Sequence, residues 1–233
     1  MERIKTQIKG LDTLIQGGLP KGRVILVAGT PGTGKSILCA QILYLNASAG
    51  KKCLYLNLEQ DHGRLENQLS QFGWDSKKAK NLKIIALDAD NPNLVGYLLD
   101  EFKKTQYDLI CLDSLDSITS NPIQPLNLTI QDHGSIIPME PQNLSRVRLK
   151  TVFKALAASD TTVLITSERV ENQAGLTRDT ISEFLCDGII VLESASIGKN
   201  LNRTIEVKKM RETEIQGGKY DLRFTKTGLQ IGE

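Results

Sequence analysis

The residues best suited to chemistry form one glycine-rich run, Gly29-Thr30-Pro31-Gly32-Thr33-Gly34-Lys35-Ser36. It fits the pattern G-x-x-x-x-G-K-[ST] at every defined position, and a strand is expected before it and a helix after it. Glycines let the backbone curl so that successive N–H groups point at phosphate oxygens, and the helix N-terminus adds positive potential. We expect Lys35 to reach the β- and γ-phosphates of a nucleotide and the Ser36 hydroxyl to coordinate Mg²⁺. A turn that only caps a helix is the competing interpretation, and it explains neither side chain. The predicted binding residues are Thr30, Pro31, Gly32, Thr33, Gly34, Lys35, Ser36 and Ile37.

Two acidic residues each end a predicted strand and would supply the carboxylates that hydrolysis needs. Asp113 follows the apolar run 109–112, as in a Walker B strand, and we expect it to support the metal ion. A helix-capping aspartate would fit the same position. Glu59 follows the run 54–58 and would open onto the edge where parallel strands end and face the phosphate loop. Spacing alone does not separate a water-activating Glu59 from a surface glutamate.

The elements that must position these residues alternate between short β-branched runs and helical stretches, which indicates a mostly parallel sheet. We predict strands at 24–28, 53–58, 82–87, 108–113 and 162–166, and helices at 36–48, 63–72, 94–104 and 146–158. Three further strands, at 187–192, 203–209 and 220–224, follow without helices between them and are expected to be antiparallel. The predicted class is α/β, with a mostly parallel central sheet, helices on both faces and antiparallel C-terminal strands.

The composition is that of an ordinary globular protein and excludes few functions. The 233 residues suit a single domain spanning 1–233. With 29 basic and 27 acidic residues the formal charge is +2, which gives no overall attraction to nucleic acid. No apolar run approaches the ~20 residues that cross a bilayer, and the first residues lack the apolar core of a signal peptide. We therefore expect a cytoplasmic protein without a membrane partner. The four cysteines form no C-x-x-C pair and are expected to be buried thiols.

Four further stretches occur in the order in which one known family has them. They are Ile8 to Gly22, which leads into the phosphate loop, Gln71-Phe72-Gly73-Trp74-Asp75, Thr166-Ser167-Glu168-Arg169, and Glu183 to Gly188. On these motifs the chain resembles, from end to end, the KaiC-like branch of the RecA superfamily of P-loop ATPases. The resemblance implies a RecA-like fold, ATP and Mg²⁺ as ligands, and hydrolysis of ATP to ADP and phosphate.

The resemblance also implies a catalytic role for Glu59. In the family, paired glutamates follow the second strand and serve as catalytic carboxylates. Here the first is Glu59, but Gln60 occupies the second position, and a glutamine can hydrogen-bond water without accepting a proton. We therefore predict slow ATP hydrolysis with Glu59 as the activating base.

The resemblance places the rest of the active site on a neighbouring subunit. In the family, a Lys-x-Arg pair in a late strand reaches the neighbour's γ-phosphate, much as an arginine finger does. Lys209 and Arg211 stand in this place, although their alternation alone would favour a solvated edge strand. Thr213 and Thr225 fall where the family contacts the neighbour's nucleotide, and Ile215 replaces a family histidine, so base or sugar contacts are expected to differ. The implied assembly is a homo-oligomer with ATP at its interfaces, for which we expect a hexameric ring, while a filament stays open.

An autokinase is one role that such a domain could have. Clock KaiC proteins contain two of these domains, and one of them phosphorylates itself on an adjacent Ser-Thr pair. At the matching place this chain has Glu183 and Phe184, which cannot accept a phosphate, although Thr177, Thr180 and Ser182 are close in sequence. We therefore do not favour an autokinase.

Nucleic-acid binding is a second class of function, because RadA- and RadB-like recombination or repair ATPases share this core and bind DNA through mobile loops. The proline-rich segment 119–143, predicted to be one long irregular loop, would lie at such a place, and Arg146 and Lys150 are among the basic residues of the next helix. The segment contains no Lys or Arg and carries Asp132 and Glu140. A DNA partner is therefore an alternative that is not favoured.

The preferred role is an oligomeric ATPase that regulates or signals to a protein partner under the control of nucleotide. Contacts from Lys209 and Arg211 to a γ-phosphate exist only in the ATP state. Assembly would therefore respond to the ratio of ATP to ADP.

Overall fold

The computed structural model describes residues 1–59, 62–76, 78–89, 91, 93–120, 129–132, 135–138, 141–158, 160–170, 175–179 and 181–232. In chain order the elements are β1 (Arg3–Ile4), α1 (Leu11–Leu14), β2 (Leu19–Pro20), β3 (Val24–Gly29), α2 (Lys35–Ser48), β4 (Cys53–Asn57), α3 (His62–Ser70), β5 (Leu82–Ala86), α4 (Leu94–Lys104), β6 (Leu109–Asp113), α5 (Leu115–Ser120), β7 (Thr129–Asp132), β8 (Ser135–Pro138), α6 (Pro141–Ala157), β9 (Thr162–Glu168), α7 (Ser182–Leu185), β10 (Gly188–Ile197), β11 (Asn200–Met210), β12 (Tyr220–Thr225) and β13 (Gly228–Ile231). Within the described ranges, none of the helices has the length and apolar character needed to span a membrane.

Nine of the described strands form one central sheet, in the order β13-β12-β11-β10-β3-β9-β6-β4-β5. From β10 to β5 every neighbouring pair is parallel, and from β10 to β13 every pair is antiparallel. The predicted α/β class with antiparallel C-terminal strands is thus confirmed. We call the side of the sheet at which the parallel strands begin the amino edge, and the side at which they end the carboxyl edge. Neither term refers to the outermost strands.

Hydrophobic layers cover both faces of the parallel strands. On one face, Ile25 and Val27 of β3 belong to a cluster that includes the buried side of α2. On the other face, Leu26 of β3 packs in a cluster with buried side chains of α6, such as Leu149 and Val152. Strands that are covered on both sides are apolar at nearly every position, which is why they appear as continuous hydrophobic runs in the sequence. The four cysteines are buried in these layers and form no disulfide.

The segment 119–143 differs from the single irregular loop that the sequence suggested. α5 extends to Ser120, β7 and β8 pair as an antiparallel hairpin, and α6 begins at Pro141 rather than at Arg146. The prolines suggest an irregular segment, but Pro141 stands in the first turn of α6. Proline is well tolerated there, because its missing N–H would have no partner in any case. Residues 121–128, 133–134 and 139–140 lie outside the described residues.

Candidate functional site

The glycine-rich loop connects the end of β3 to the start of α2, as predicted. Gly32 and Gly34 have φ angles of 78° and 105°, in the left-handed region that favours glycine. A Cβ atom at Gly34 would lie 2.8 Å from Cζ of Phe224, and one at Gly29 would lie 2.4 Å from the Leu192 carbonyl oxygen. Glycine is therefore required here for space as well as for backbone conformation.

Polar contacts inside the loop hold its curled shape. The Lys35 ammonium group donates to the carbonyl oxygens of Gly29, at 2.9 Å, and Thr30, at 3.2 Å. The buried Thr33 hydroxyl donates to the Thr30 carbonyl oxygen at 2.8 Å. The positive charge of Lys35 is thus positioned over the loop by the loop's own backbone, at the N-terminus of a long helix. This arrangement is suited to an anion such as a nucleotide phosphate.

Asp113 ends β6 at the carboxyl edge and is 2% exposed. Tyr55 Oη donates to its Oδ2 at 2.6 Å, and the Thr166 hydroxyl donates to its Oδ1. Burial, followed by the neighbouring Asp113 charge, raises the pKa of Tyr55 well above its usual value, so Tyr55 stays a donor. A carboxylate has about four lone-pair directions. Asp113 can therefore accept these two bonds and still accept further ones from a metal-bound water.

Glu59 follows β4 and lies at the same edge. The Ser114 hydroxyl donates to Oε1 of Glu59. Partial burial raises the pKa of Glu59 above its usual value; the Ser114 hydrogen bond opposes the shift, and the nearby charges of Asp113, Asp116 and Glu168 add to it. A carboxylate with a raised pKa is a stronger base than an ordinary surface glutamate.

Asp116 and Glu168 extend this acidic group, and neither was predicted as a site residue. Asp116 Oδ2 accepts the backbone N–H of Glu168 at 2.7 Å, and burial raises the pKa of Asp116. Glu168 is the last residue of β9, whose predicted end was at Thr166. Had the strand been predicted two residues longer, Glu168 would have stood at the carboxyl edge beside Asp113.

Much of the loop and two of the four acidic residues line one pocket of about 290 Å³, whereas Asp113 and Asp116 are not part of its lining. Its lining includes the phosphate loop, Glu59 and Glu168, together with Arg203 and Phe224 from the antiparallel strands. The Arg203 guanidinium carbon lies 4.5 Å from the centre of the Phe224 ring, and Arg203 Nε donates to the Gly32 carbonyl oxygen at 3.3 Å. This stacked pair offers a flat surface beside the phosphate loop, which is the kind of surface that an aromatic base contacts.

The donor groups at this edge suit Mg²⁺. Ser36 stands in the first turn of α2 and Asp113 at the end of β6. Within the part of the chain that the structure describes, no group of three or more His, Cys, Asp or Glu side chains is arranged so that it could hold a metal ion by itself. Mg²⁺ is commonly held by one or two protein oxygens with waters and substrate phosphates, so a closed protein cage is not needed. A cation here would also offset the nearby negative charges, which add to the effect of burial in raising the pKa of Glu59.

The remaining predicted residues are divided between the two edges of the sheet. We call residues 209–213, at the end of β11 and just after it, the 209–213 turn. Gly188 of β10 pairs with Met210 of β11 and with Ile25 near the start of β3. Ile25 precedes Gly29 by four residues, about 13 Å of strand at ~3.3 Å per residue. Lys209, Arg211 and Thr213 therefore lie at the amino edge, away from the phosphate loop of their own chain.

Contacts within the chain hold both basic side chains at this edge. Lys209 Nζ donates to the Cys186 carbonyl oxygen at 2.6 Å and to that of Glu183 at 3.4 Å. The Arg211 guanidinium lies 3.2 Å from Oδ1 of Asp187. Neither residue is brought together with Lys35.

Thr225, by contrast, lies at the carboxyl edge. It ends β12 and follows Phe224, which lines the pocket, and its hydroxyl donates to the Gly228 carbonyl oxygen at 2.7 Å. The four residues that the resemblance assigned to a neighbour's nucleotide are thus split, three at one edge and Thr225 at the other.

The remaining positions on which the role predictions depend are Glu183, Phe184, Gln60 and Thr180. Glu183 and Phe184 belong to α7, at the amino edge beside Lys209, and Phe184 is 71% exposed. Gln60 and Thr180 lie outside the described residues.

The sequence profile of the family described as "ATPase: KaiC" matches residues 4–233 of this chain. Among solved structures, the chain is similar to a KaiC-like protein from the archaeon Pyrococcus horikoshii. The TM-score is 0.82 and the sequence identity 28%, over 100% of this chain and 99% of the other.

Curated relatives fall into two length classes. The circadian clock oscillator protein KaiC 1 of Synechocystis is 31% identical over 243 residues, which cover 99% of this chain and 44% of the relative. The UPF0273 protein of Pyrococcus furiosus is 27% identical over 233 residues, which cover 99% of this chain and 94% of the relative. The chain thus spans less than half the length of this clock protein and nearly all of the archaeal protein.

Proposed function

This chain belongs to the KaiC family of ATPases, and on that basis we propose that it binds ATP with Mg²⁺ at the carboxyl edge and hydrolyses the ATP slowly, within a homo-oligomer that is controlled by nucleotide. One observation carries the proposal: the phosphate loop and Glu59 line a single pocket, which an arginine–aromatic pair also enters. The pocket thus combines a site for phosphates, a candidate base and a flat surface for a nucleobase.

The binding residues have separate tasks in this proposal. The loop from Thr30 to Ile37 holds the phosphates through backbone N–H groups, and Lys35 neutralises the β- and γ-phosphates. Ser36 and Asp113 hold the magnesium ion, which when bound offsets charge on the phosphate oxygens. Phe224, stacked on Arg203, contacts the base.

Glu59 takes the proton of the attacking water. Its raised pKa makes it a better proton acceptor than a solvated glutamate, and Ser114 fixes one of its oxygens, so the other can face the water. Gln60 follows directly and cannot accept a proton, which is why we propose slow rather than rapid turnover.

Lys209 and Arg211 act on a neighbouring subunit. They lie at the amino edge, about 13 Å of strand from Gly29, so they cannot complete the site of their own chain. If the amino edge of one subunit meets the carboxyl edge of the next, the contact is head-to-tail and closes into a ring when the rotation allows. We propose a hexameric ring in which Lys209, Arg211 and Thr213 complete the neighbour's site.

Glu59→Gln tests the catalytic part of the proposal. We expect ATP hydrolysis with Mg²⁺ to fall by about 100-fold or more, with unchanged ATP affinity, because the amide keeps the shape but loses the base. Glu66→Gln is the matched control: Glu66 lies on α3 and accepts a bond from Ser76 at 3.1 Å, away from the pocket lining. Hydrolysis by Glu59→Gln at the parental rate would refute the assignment.

The biological role that we propose is regulation or signalling through nucleotide-dependent assembly, acting on a protein partner. Sedimentation with ATP, with ADP and without nucleotide measures this directly, and we expect the largest assembly with ATP. Identical sizes in all three states would contradict the role.

A second candidate function is DNA binding, as in RadA- or RadB-like accessory ATPases. The observation in its favour is that Arg146 and Lys150 are both exposed on α6, after the segment that contains the β7–β8 hairpin. A mobility shift with single-stranded DNA that weakens steeply with salt would favour this alternative. The absence of such a shift with ATP present would remove it.

A further inference from the structure

The guanidinium group of Arg3 bonds to two segments that are far apart in the sequence, residues 15–18 and residues 212–213. It makes five hydrogen bonds, to the carbonyl oxygens of Ile15 (3.3 Å) and Gly18 (3.1 Å), to Gln16 Oε1 (2.9 Å), to the Glu212 carbonyl oxygen (3.1 Å) and to Thr213 Oγ1 (3.1 Å). Three of these bonds anchor Arg3 to the chain between α1 and β2. The other two bonds go to consecutive residues of the 209–213 turn.

The backbone of the 209–213 turn includes a residue in an uncommon conformation. Glu212 has a φ of 55°, which is uncommon for a residue with a side chain. The Thr213 hydroxyl donates to the Arg211 carbonyl oxygen at 3.2 Å, so the bond from Arg3 to Thr213 is relayed to the backbone of Arg211. Gln16 Oε1, which accepts from Arg3, also accepts the backbone N–H of Glu214 at 3.3 Å. The direction in which the chain leaves β11 is therefore fixed from the N-terminal segment.

The side chain of Arg211 depends on this backbone support. Its ion pair with Asp187 is 3.2 Å long, and the Arg211 side chain is 56% exposed. Asp187 is 15% exposed, but on the arginine side the pair is open to solvent, which screens the attraction, and ordering the long side chain costs entropy. The position of the guanidinium is consequently set mainly by where the backbone of Arg211 lies.

We propose that Arg3 is a positioning residue that sets the 209–213 turn for its action on a neighbour's nucleotide. The inference rests on the proposed function, which assigns Lys209 and Arg211 an action in trans. Arg3 acts through Glu212 and Thr213 and does not itself reach the nucleotide of either subunit. A lysine would replace it only in part, because an ammonium group lacks the planar fork that bonds to both segments at once.

The first test is steady-state kinetics of Arg3→Ala and Arg3→Lys with ATP. We expect kcat to fall by about 10- to 100-fold for Arg3→Ala and by less for Arg3→Lys, with KM for ATP unchanged. KM is unaffected because the phosphate loop of the same chain lies at the other edge. Lys5→Ala is the matched control, since Lys5 lies on the same segment with an exposed side chain, and we expect parental kinetics. A parental kcat for Arg3→Ala would overturn the proposal.

The second test separates action in trans from simple destabilisation. Arg3→Ala subunits are mixed with Glu59→Gln subunits and assembled with ATP, and Arg211→Ala with Glu59→Gln serves as the reference mixture. An Arg3→Ala site beside a Glu59→Gln neighbour has an intact Glu59 and receives an intact 209–213 turn. We therefore expect both mixtures to hydrolyse ATP faster than the mean of their separate components.

The outcomes distinguish this inference from the function on which it rests. If the Arg211 mixture recovers and the Arg3 mixture does not, the Arg3 defect lies in its own subunit and the positioning role is wrong. If neither recovers, the action in trans itself fails and the inference falls with it. Thermal unfolding and binding of a fluorescent ATP analogue check that each variant is folded. Where Arg3→Ala is unfolded, the same mixture is made with Arg3→Lys, and a lack of recovery there overturns the proposal equally.

Discussion

The carboxyl edge and the amino edge of the sheet differ in how their functional side chains are held. At the carboxyl edge, Lys35 and Ser36 belong to one continuous loop whose shape depends on glycine conformations and on bonds within the loop. At the amino edge, the turn that carries Arg211 is held by contacts between segments about 200 residues apart, such as the bond from Arg3 to the Glu212 carbonyl oxygen. The first arrangement can be recognised in a short motif, whereas the second requires the folded chain.

The difference bears on how each half of the site can fail. A change within the loop alters the binding of nucleotide to the same chain. In the proposed assembly, a change at the amino edge would leave that binding intact and alter turnover in another subunit.

Arg211→Ala should have the largest effect. We expect kcat to fall by about 1,000-fold, the lower end of the range for arginine fingers, while the affinity for ATP stays unchanged because the pocket of the same chain is intact. Hydrolysis in the assembled oligomer and binding of a fluorescent ATP analogue measure the two quantities separately.

Lys208→Ala is the matched control for Arg211→Ala. Lys208 lies in β11 beside Lys209, and its ammonium group pairs with Glu206 at 2.7 Å. It should retain nearly full activity. A full rate for Arg211→Ala in assembled oligomers would show that the amino edge takes no part in hydrolysis.

Gly34→Ala tests the carboxyl edge by its geometry. Gly34 and Gly50 have φ angles of 105° and 96°, but a Cβ at Gly34 would meet Phe224 at 2.8 Å, whereas one at Gly50 would meet nothing within 4 Å. We expect Gly50→Ala to lower the free energy of unfolding by about 1 kcal/mol and Gly34→Ala by roughly 1–3 kcal/mol more. Only Gly34→Ala should also weaken ATP binding. Urea unfolding and nucleotide titration measure both effects, and equal costs for the two variants would contradict the contact with Phe224.

Phe224→Leu should have a smaller effect, confined to recognition of the base. We expect a loss of about 1 kcal/mol in the binding of ATP, since an aromatic ring gains roughly that much over an aliphatic side chain against a stacked partner. Inorganic triphosphate, which has no base, should bind the variant and the parent equally in a calorimetric titration. An equal loss for both ligands would show that Phe224 supports the loop and does not contact the base.

Ser114→Ala should have the smallest effect, a displacement of the pH profile. Hydrolysis needs the ionised form of Glu59, so it should fall as the pH drops through the raised pKa of that residue. The Ser114 hydrogen bond stabilises the carboxylate and lowers this pKa; its removal should therefore move the acid limb of kcat/KM to higher pH. Ser117→Ala is the control, because Ser117 donates to the Leu58 carbonyl oxygen instead. An unmoved acid limb would mean that another group limits the rate.

The parts of the site that the sequence predicts are those held by local chain geometry. The sequence predicts the glycine-rich loop between a strand and a helix and Asp113 at the end of a strand, and the structure has both there, because each position depends on one strand and the residues directly after it. Tyr55 and Thr166 were missed, because they meet Asp113 only through the register of β4, β6 and β9. The available signal is weak: Tyr55 lies between two leucines of β4, and Thr166 follows the apolar run 163–165 of β9, but both strands contain other polar residues as well.

The position of the antiparallel strands relative to the phosphate loop cannot be predicted from local sequence patterns. The sequence predicts β10, β11 and β12 and their antiparallel pairing, but not β13. The proximity of Arg203 and Phe224 to the phosphate loop depends on β10 lying beside β3, which no local pattern reports. The roles proposed for Lys209 and Arg211 come only from the family resemblance. Nothing in the sequence points to Arg3, because the residues that it contacts on the 209–213 turn lie far away in the sequence. The start of α6 differs from the predicted Arg146 for the opposite reason, because Pro141, which suggests irregular structure in the sequence, opens the helix.

The nucleotide pocket and the 209–213 turn lie on opposite edges, so the number of complete sites in an assembly depends on how its subunits are arranged. In an open row of subunits, the subunit at one end has a nucleotide pocket that no neighbour completes, and the subunit at the other end has an unused 209–213 turn. The fraction of working sites in a filament therefore rises with its length, whereas a closed ring has none unfinished. Turnover per subunit would thus climb gradually with protein concentration for a filament but reach a constant value as soon as rings have formed.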